Sequence, residues 1–211
     1  QLGRSGLEVS VVSIGCSGYW GQAAFAEAKA EAVIHEAVER GVNLFDTGHH
    51  YCKFNAEPRL GRILEPLLAS KGRERFVISS KATDSGAIAG MATHLPAGAA
   101  GQRSYSPDYV EASCATSIRN LRCGHLDIFQ LHGIREHEFS EPLLDRLLEM
   151  KRRGMYRCLG VNTHSESLNR FVARHPDLFG MVLIDYNVLQ LDREPVIDEL
   201  AKAGVGVVAG T

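Results

Sequence analysis

Several features that define other classes of protein are missing from this sequence of 211 residues. No apolar run approaches the roughly 18 residues that a membrane-spanning helix needs, and residues 1–15 lack the basic start and the cleavage site of a secretory signal peptide. Basic and acidic residues nearly balance, at 23 and 25, which argues against a nucleic-acid-binding surface and against a polybasic membrane anchor. We therefore predict a cytoplasmic protein that binds neither nucleic acid nor membrane.

Cysteine motifs and glycine-rich phosphate loops are missing as well. The five cysteines are odd in number and no pair has Cys-x-x-Cys spacing, so reduced thiols are expected. The nearest approach to a Gly-x-Gly-x-x-Gly loop, residues 15–21, has the wrong spacing for a dinucleotide cradle. The chain opens at Gln1 rather than at a methionine, and we expect it to be part of a longer gene product.

What the sequence does contain is a regular alternation of strands and helices. Apolar residues make up 45% of the chain, enough for a substantial core. Seven segments rich in β-forming residues are predicted as strands, at residues 9–15, 42–46, 76–81, 126–132, 158–161, 181–185 and 205–209. Six segments with helical periodicity or helix-capping residues separate them, at about residues 25–40, 57–69, 106–121, 141–153, 165–174 and 195–203.

This alternation predicts the α/β class, because parallel strands must be joined by helical crossovers. An open doubly wound sheet and a closed (β/α)8 TIM barrel both fit the pattern. The missing phosphate loop favours the barrel, as one domain over residues 1–211. An eighth strand is needed to close such a barrel, so we expect its C-terminal part to lie beyond Thr211. Residues 82–106, rich in glycine, alanine and serine, are predicted as a long functional loop.

Polar side chains stand at the ends of three consecutive predicted strands. Asp46 ends the second strand, Lys81 the third and His132 the fourth, while Tyr51 lies on the loop after Asp46. Each residue alone has a plainer explanation, as a turn cap, a surface lysine, a core histidine or a half-buried tyrosine. The carboxyl ends of barrel strands collect catalytic residues, so we predict that these four residues share one site.

The pattern resembles the aldo-keto reductase family over essentially the whole chain. The matching stretches are the Asp-Thr-x-x-x-Tyr run at 46–51, Glu57 with residues 60–62, the strand that ends in Lys81, residues 126–132, and the passage from Gly154 to Val161. The order of these motifs at successive strand ends carries the resemblance. It implies a (β/α)8 barrel that reduces aldehydes and ketones with NADPH, or less often with NADH.

By this resemblance Asp46, Tyr51, Lys81 and His132 form the catalytic tetrad. Hydride arriving at a carbonyl carbon leaves negative charge on the oxygen, which a nearby acid must neutralise. A tyrosine hydroxyl has an ordinary pKa of about 10, and we expect the neighbouring ammonium of Lys81 to lower it. Asp46 would hold Lys81 in place, and His132 would orient the carbonyl or share in proton delivery.

The remaining site predictions concern cofactor and substrate. Gly18, Asp46, Asn162 and Thr163 are expected to contact NADP(H), with NAD(H) left open. Tyr19, Trp20 and His49 are expected to line the mouth of the substrate site, although Tyr19 and Trp20 could equally pack beneath the 82–106 loop. The sequence indicates neither the particular carbonyl substrate nor an oligomeric state.

Two departures from the family pattern keep other functions open. Leu183 replaces a glutamine common in the sixth strand, and Gly210 replaces an aromatic residue that stacks on nicotinamide. A non-catalytic relative that binds the cofactor and regulates a partner is therefore one alternative. A barrel hydrolase that holds a metal through His49, His50 and His132 is another, although we predict no metal.

Overall fold

One parallel sheet organises the structure, a computed structural model that describes residues 1–88 and 103–210. Seven strands pair in chain order, each parallel to the next. This is the strand order of a (β/α)8 barrel through its seventh strand, so the predicted fold class is confirmed. The strands are β1 (Ile14–Gly15), β2 (Leu44–Asp46), β3 (Val77–Ala82), β4 (Leu126–His132), β5 (Tyr156–Asn162), β6 (Met181–Asp185) and β7 (Gly206–Gly210).

Helices connect the strands on the outside of the sheet. Serines at positions 106, 140 and 165 begin three of them by accepting a hydrogen bond from a main-chain amide in the first turn. Among the described residues, none of the helices is long and apolar enough to cross a membrane. The helices are α1 (Gly18–Gly21), α2 (Glu27–Glu39), α3 (Tyr51–Phe54), α4 (Ala56–Lys71), α5 (Pro107–Leu121), α6 (Glu141–Arg152), α7 (Glu166–Arg174) and α8 (Glu194–Ala203).

The structure differs from the prediction most at the first strand, which was expected over residues 9–15. Only Ile14–Gly15 pairs with β2, and Val11 is fully exposed. The side-chain amide of Asn43 hydrogen-bonds the main chain of Glu8 at 2.9 Å and of Ser10 at 2.7 Å, where a strand would use its own backbone. The single-turn helices α1 and α3 were not predicted. Most of the expected 82–106 loop lies outside the described residues.

Successive side chains of each strand point to opposite faces of the sheet, so the strands have an inner and an outer layer of side chains. Outward residues such as Phe45, Ile78 and Phe129 pack beneath the helices in the larger core cluster. Inward residues at the amino ends of the strands form a second apolar cluster with the N-terminal segment. Its members are Leu2, Leu7, Leu44, Val77, Ile128, Cys158 and Met181.

The same inward face becomes polar toward the carboxyl ends of the strands. Asp46 pairs with Ser79 in the sheet register, Lys81 pairs with Gln130, and His132 pairs with Asn162. Each of these lies an even number of residues beyond an apolar member of the inner cluster. The fold therefore places a layer of polar side chains at the end of the barrel where the predicted site lies.

Candidate active site

A buried charge pair forms the floor of the site. Lys81 is fully buried, and its Nζ contacts the carboxylate of Asp46 and donates to the Thr47 carbonyl at 2.7 Å. The other carboxylate oxygen of Asp46 accepts hydrogen bonds from Ser79 Oγ and from Gln130 Nε2, both at 2.8 Å. A buried ion pair persists only when its remaining hydrogen-bonding capacity is satisfied. Ser79 and Gln130 provide these hydrogen bonds to the carboxylate of Asp46.

Sequence reasoning did not identify Ser79 or Gln130 as parts of the site. Ser79 precedes Lys81 by two residues in β3, and Gln130 precedes His132 by two residues in β4. Positions two apart in a strand face the same way, so each polar residue lies one layer below a predicted site residue. This spacing is the signal that could have found both.

Tyr51 lies directly above the charge pair. The Lys81 Nζ is 5.3 Å from the centre of the tyrosine ring, and the ring of His132 is 6.1 Å away at an interplanar angle of 85°. Tyr51 is half-buried on α3, which projects from the loop after β2. The structure thus brings Asp46, Tyr51, Lys81 and His132 together, as the sequence predicts.

The turn that presents Tyr51 has an uncommon backbone. Cys52, Lys53 and Phe54 have φ values of 55°, 56° and 66°, in the left-handed region that L-residues seldom occupy. Contacts with α1 hold this turn in place: Cys52 Sγ donates to the carbonyl of Gly18 at 3.2 Å, and the amide of Asn55 donates to that of Gly21 at 2.8 Å. Gly18, predicted to contact the cofactor, supports the turn through its carbonyl oxygen.

The pKa of Tyr51 is raised, contrary to the expected lowering by Lys81. Burial is the main cause and the negative charge of Asp46 is the next. The ammonium of Lys81 is already engaged by Asp46 and by a main-chain carbonyl, and it lies 5.3 Å from the centre of the phenol ring. Tyr51 therefore holds its proton firmly at neutral pH.

His132 is a neutral imidazole at neutral pH. Burial, the charge of Lys81 and the neighbouring His50 together lower its pKa to about 4. The rings of His50 and His132 are stacked with centres 5.9 Å apart. The Nδ1 of His132 is buried and has no hydrogen-bond partner in the described part of the chain. A neutral ring has one donor and one acceptor nitrogen, so His132 can donate to a carbonyl oxygen.

A cavity of about 520 Å³ opens above these residues at the carboxyl ends of the strands. Asp46, Tyr51 and His132 line it together with Asn162 at the end of β5. His164 and Asp185 lie on the same wall, with His164 Nδ1 2.7 Å from an Asp185 carboxylate oxygen. This volume falls within the usual range for small-molecule sites.

The three residues predicted to contact the substrate, Tyr19, Trp20 and His49, are not on the wall of this cavity. Tyr19 is exposed and packs edge-on against Phe25. The Trp20 indole donates to the Ala30 carbonyl of α2 at 3.2 Å and packs on the helix layer. His49 is buried, with Nδ1 3.5 Å from the carboxylate of Glu57.

Thr163, which was predicted to contact the cofactor, makes a local contact instead. Its Oγ1 accepts a hydrogen bond from the main-chain amide of Ser165, just before α7. No group of three or more histidine, cysteine, aspartate or glutamate side chains within residues 1–88 and 103–210 could hold a metal ion. The grouping of His49, His50 and His132 as metal ligands therefore has no support in the described structure.

The two departures from the family pattern contact each other. Leu183 and Gly210 both line the cavity, on β6 and β7. A β-carbon at Gly210 would lie 2.9 Å from Leu183 Cδ2, closer than real contacts allow. The leucine side chain therefore covers the space next to Gly210, and the cavity wall is aliphatic at this point.

The strand order is that of a (β/α)8 barrel through its seventh strand, and the buried lysine–carboxylate pair lies at the carboxyl ends of the strands, where catalytic residues of such barrels lie. Residues 12–211 match the model of the aldo/keto reductase family, and the chain belongs to that family. The family and the fold support oxidoreductase activity on carbonyl compounds in general terms.

Solved structures of aldo-keto reductases share this fold. A Pseudomonas aeruginosa protein assigned to this group is 23% identical, with a TM-score of 0.78, and the match covers 99% of this chain and 76% of that one. The aldo-keto reductase AKR11C1 of Bacillus halodurans, in its holo form, is 21% identical with a TM-score of 0.79, and 99% of this chain matches 64% of it. The match to the apo form has a TM-score of 0.74 at 22% identity, and covers 99% of this chain and 62% of that one.

Proposed function

We propose that this chain reduces aldehydes or ketones to alcohols with NADPH, and that Tyr51 is the general acid. The observation that carries the proposal is the position of Tyr51. Its ring shares the cavity with His132, and the buried Lys81–Asp46 pair lies immediately beneath it. A small carbonyl compound is the proposed substrate.

Tyr51 is suited to give up its proton only at the moment of reaction. Its raised pKa keeps the phenol protonated until negative charge develops on the carbonyl oxygen. When the proton leaves, the ammonium of Lys81, which lies 5.3 Å from the centre of the phenol ring, would stabilise the phenolate that forms. Asp46 fixes the ammonium at that place, with Ser79 and Gln130 holding the carboxylate.

His132 has a separate task in this proposal. Because its ring is neutral, it donates a hydrogen bond to the carbonyl oxygen without competing with Tyr51 as the stronger acid. This bond would orient the carbonyl so that its oxygen faces the phenol. The centres of the two rings lie 6.1 Å apart, and both residues line the cavity that would hold the carbonyl compound.

A nicotinamide cofactor, when bound, supplies the hydride. Asn162 lies on the cavity wall and would hold the carboxamide group, since its side chain can both donate and accept. NADP(H) is proposed over NAD(H) from family membership. Titration of the protein with NADPH and NADH, followed by fluorescence, tests this choice, and tighter binding of NADH would reverse it.

The experiment that tests the proposed function is Tyr51→Phe. We expect the variant to lose carbonyl reduction while binding the reduced cofactor almost as tightly as the parent, because only the proton donor is removed. Tyr109→Phe is the matched control, since this buried tyrosine has a hydroxyl without a partner in the described residues. Parent-like turnover by Tyr51→Phe would show that another group is the acid.

The contact between Leu183 and Gly210 favours a second candidate, a regulatory relative that binds the cofactor without catalysis. At Leu183 and Gly210 the aliphatic surface provides neither the glutamine amide nor the stacking ring that the family pattern has at these two positions. This candidate predicts stoichiometric cofactor binding with no multiple-turnover oxidation of NADPH by any carbonyl compound. Sustained oxidation with one aldehyde would eliminate it.

A further inference from the structure

A second tyrosine contacts the main chain of the site. Tyr105 is buried, and its hydroxyl donates to the carbonyl oxygen of His132 at 2.6 Å. His132 is the last residue of β4, where the sheet no longer fixes the chain on both sides. The hydrogen bond from Tyr105 therefore restrains the backbone at the position where the imidazole of His132 leaves it.

Arg103 restrains the next residue in the same manner. Its guanidinium donates to the Gly133 carbonyl at 2.7 Å and binds the carboxylate of Glu138 through two hydrogen bonds, at 3.1 and 3.0 Å. It lies 5.8 Å from the centre of the Tyr105 ring and 3.3 Å from Asp84. The carbonyls of two successive residues, His132 and Gly133, are thus held by side chains from one short segment.

The imidazole itself has few other restraints. Its contacts with His50 and Tyr51 are ring-to-ring, at centre distances of 5.9 and 6.1 Å. Its Nδ1 has no hydrogen-bond partner among the residues described. Ring contacts tolerate sliding and rotation far better than a hydrogen bond does. The orientation of the ring therefore depends mainly on the main chain that carries it.

We propose that Tyr105 is a positioning residue that fixes the main chain of His132, so that its imidazole faces Tyr51, and that Arg103 supports it. The inference rests on the proposed function only in giving His132 a role toward a carbonyl substrate. Tyr105 does not line the cavity, so it is not placed to contact the substrate. Its effect on the reaction passes through His132.

Tyr156 offers a matched control for a purely structural effect. It is buried, and its hydroxyl donates to the Leu147 carbonyl of α6 at 2.7 Å. Removing the hydroxyl of either tyrosine therefore deletes one buried hydrogen bond to a main-chain carbonyl. Tyr156 does not line the cavity. The two phenylalanine variants differ chiefly in whether the carbonyl that loses its donor belongs to His132.

The test compares Tyr105→Phe with Tyr156→Phe by NMR of the histidine rings, with the His132 signal assigned by its loss in His132→Gln. We expect Tyr105→Phe to shift the ring signals of His132 and to raise its pKa from about 4, because a displaced ring is better solvated. We also expect kcat to fall roughly ten- to hundred-fold with KM nearly unchanged. Arg103→Gln should change the same signals in the same direction.

Tyr156→Phe should leave the His132 signals and kcat as in the parent. The inference is overturned if Tyr105→Phe leaves the His132 ring signals and pKa unchanged, or if Tyr156→Phe changes them equally. The NMR comparison does not require turnover. If the parent reduces no carbonyl compound, the proposed function fails while these spectra still decide whether Tyr105 positions His132.

Discussion

The lowered pKa of His132 makes the stability of the protein depend on pH in a defined window. The ordinary pKa of histidine, 6.5, applies to the unfolded chain, while burial and the charge of Lys81 lower it to about 4 in the folded protein. Between these values the unfolded chain binds a proton that the folded protein does not. The free energy of unfolding therefore falls as pH decreases from 6.5, and the loss is complete below about pH 4.

The magnitude follows from the difference between the two pKa values. A tenfold change in proton affinity corresponds to about 1.36 kcal/mol, so complete protonation of His132 would cost roughly 3 kcal/mol. The ring is half-buried, and solvent screening reduces this to about 2 kcal/mol. That is a large part of the stability of an ordinary domain, roughly 5–15 kcal/mol.

The assay is urea denaturation at several pH values from 7 to 4, for the parent and for His132→Gln. Carboxylates with lowered pKa values, including Glu57 and Glu138, also destabilise the protein when acid protonates them. They are present in both proteins, so their effect cancels in the comparison. We expect the variant to lose about 2 kcal/mol less than the parent over this range. His132→Asn should behave alike. Equal losses in parent and variants would mean that His132 is not a half-buried neutral imidazole with a lowered pKa.

Two further predictions concern the support of the site. Ser79→Ala should lower the free energy of unfolding, measured by urea denaturation, by about 2 kcal/mol, because it removes a hydrogen bond to the charged Asp46. Ser113→Ala is the control, because this buried hydroxyl has no partner in the described structure, and it should leave the free energy of unfolding nearly unchanged. Lys53→Gly should stabilise the protein by about 0.5–1 kcal/mol, since only glycine adopts its φ of 56° without strain. Lys29→Gly, within α2, should instead destabilise it by about 1 kcal/mol in thermal unfolding. If both glycine variants changed the stability of the protein in the same direction, the backbone at Lys53 would not be strained.

The sequence predicts most of the sheet because buried parallel strands have a strong apolar signal. The segments 126–132 and 181–185 are strands over the same residues in the structure. The first strand was predicted too long because β-branched residues at 9–13 have strand propensity, which tertiary contacts override. The left-handed turn after Tyr51 could not be predicted, since it contains no glycine to mark it.

Asp46, Lys81 and His132 were predictable because position along a strand determines both the face and the end of the barrel. Trp20 and His49 were not, because each lies in a loop or a short helix where sequence position does not determine the direction of the side chain. Trp20 is turned toward α2 by its hydrogen bond to Ala30. His49 is turned inward by the buried carboxylate of Glu57.

The charge pair of the site also helps to specify the fold that carries it. Lys81 and Asp46 are hydrogen-bonded by Thr47, which follows β2, by Ser79 of β3 and by Gln130 of β4. These contacts depend on the observed register, in which Asp46 pairs with Ser79 and Lys81 with Gln130. A slip of β3 by one residue would turn Lys81 to the helix side of the sheet and leave the Asp46 carboxylate without its cation. An unpaired buried charge costs about 3–5 kcal/mol, so the alternative register is strongly disfavoured. The residues proposed to perform the chemistry therefore also align the strands, which is why substitutions at this layer should affect stability and activity together.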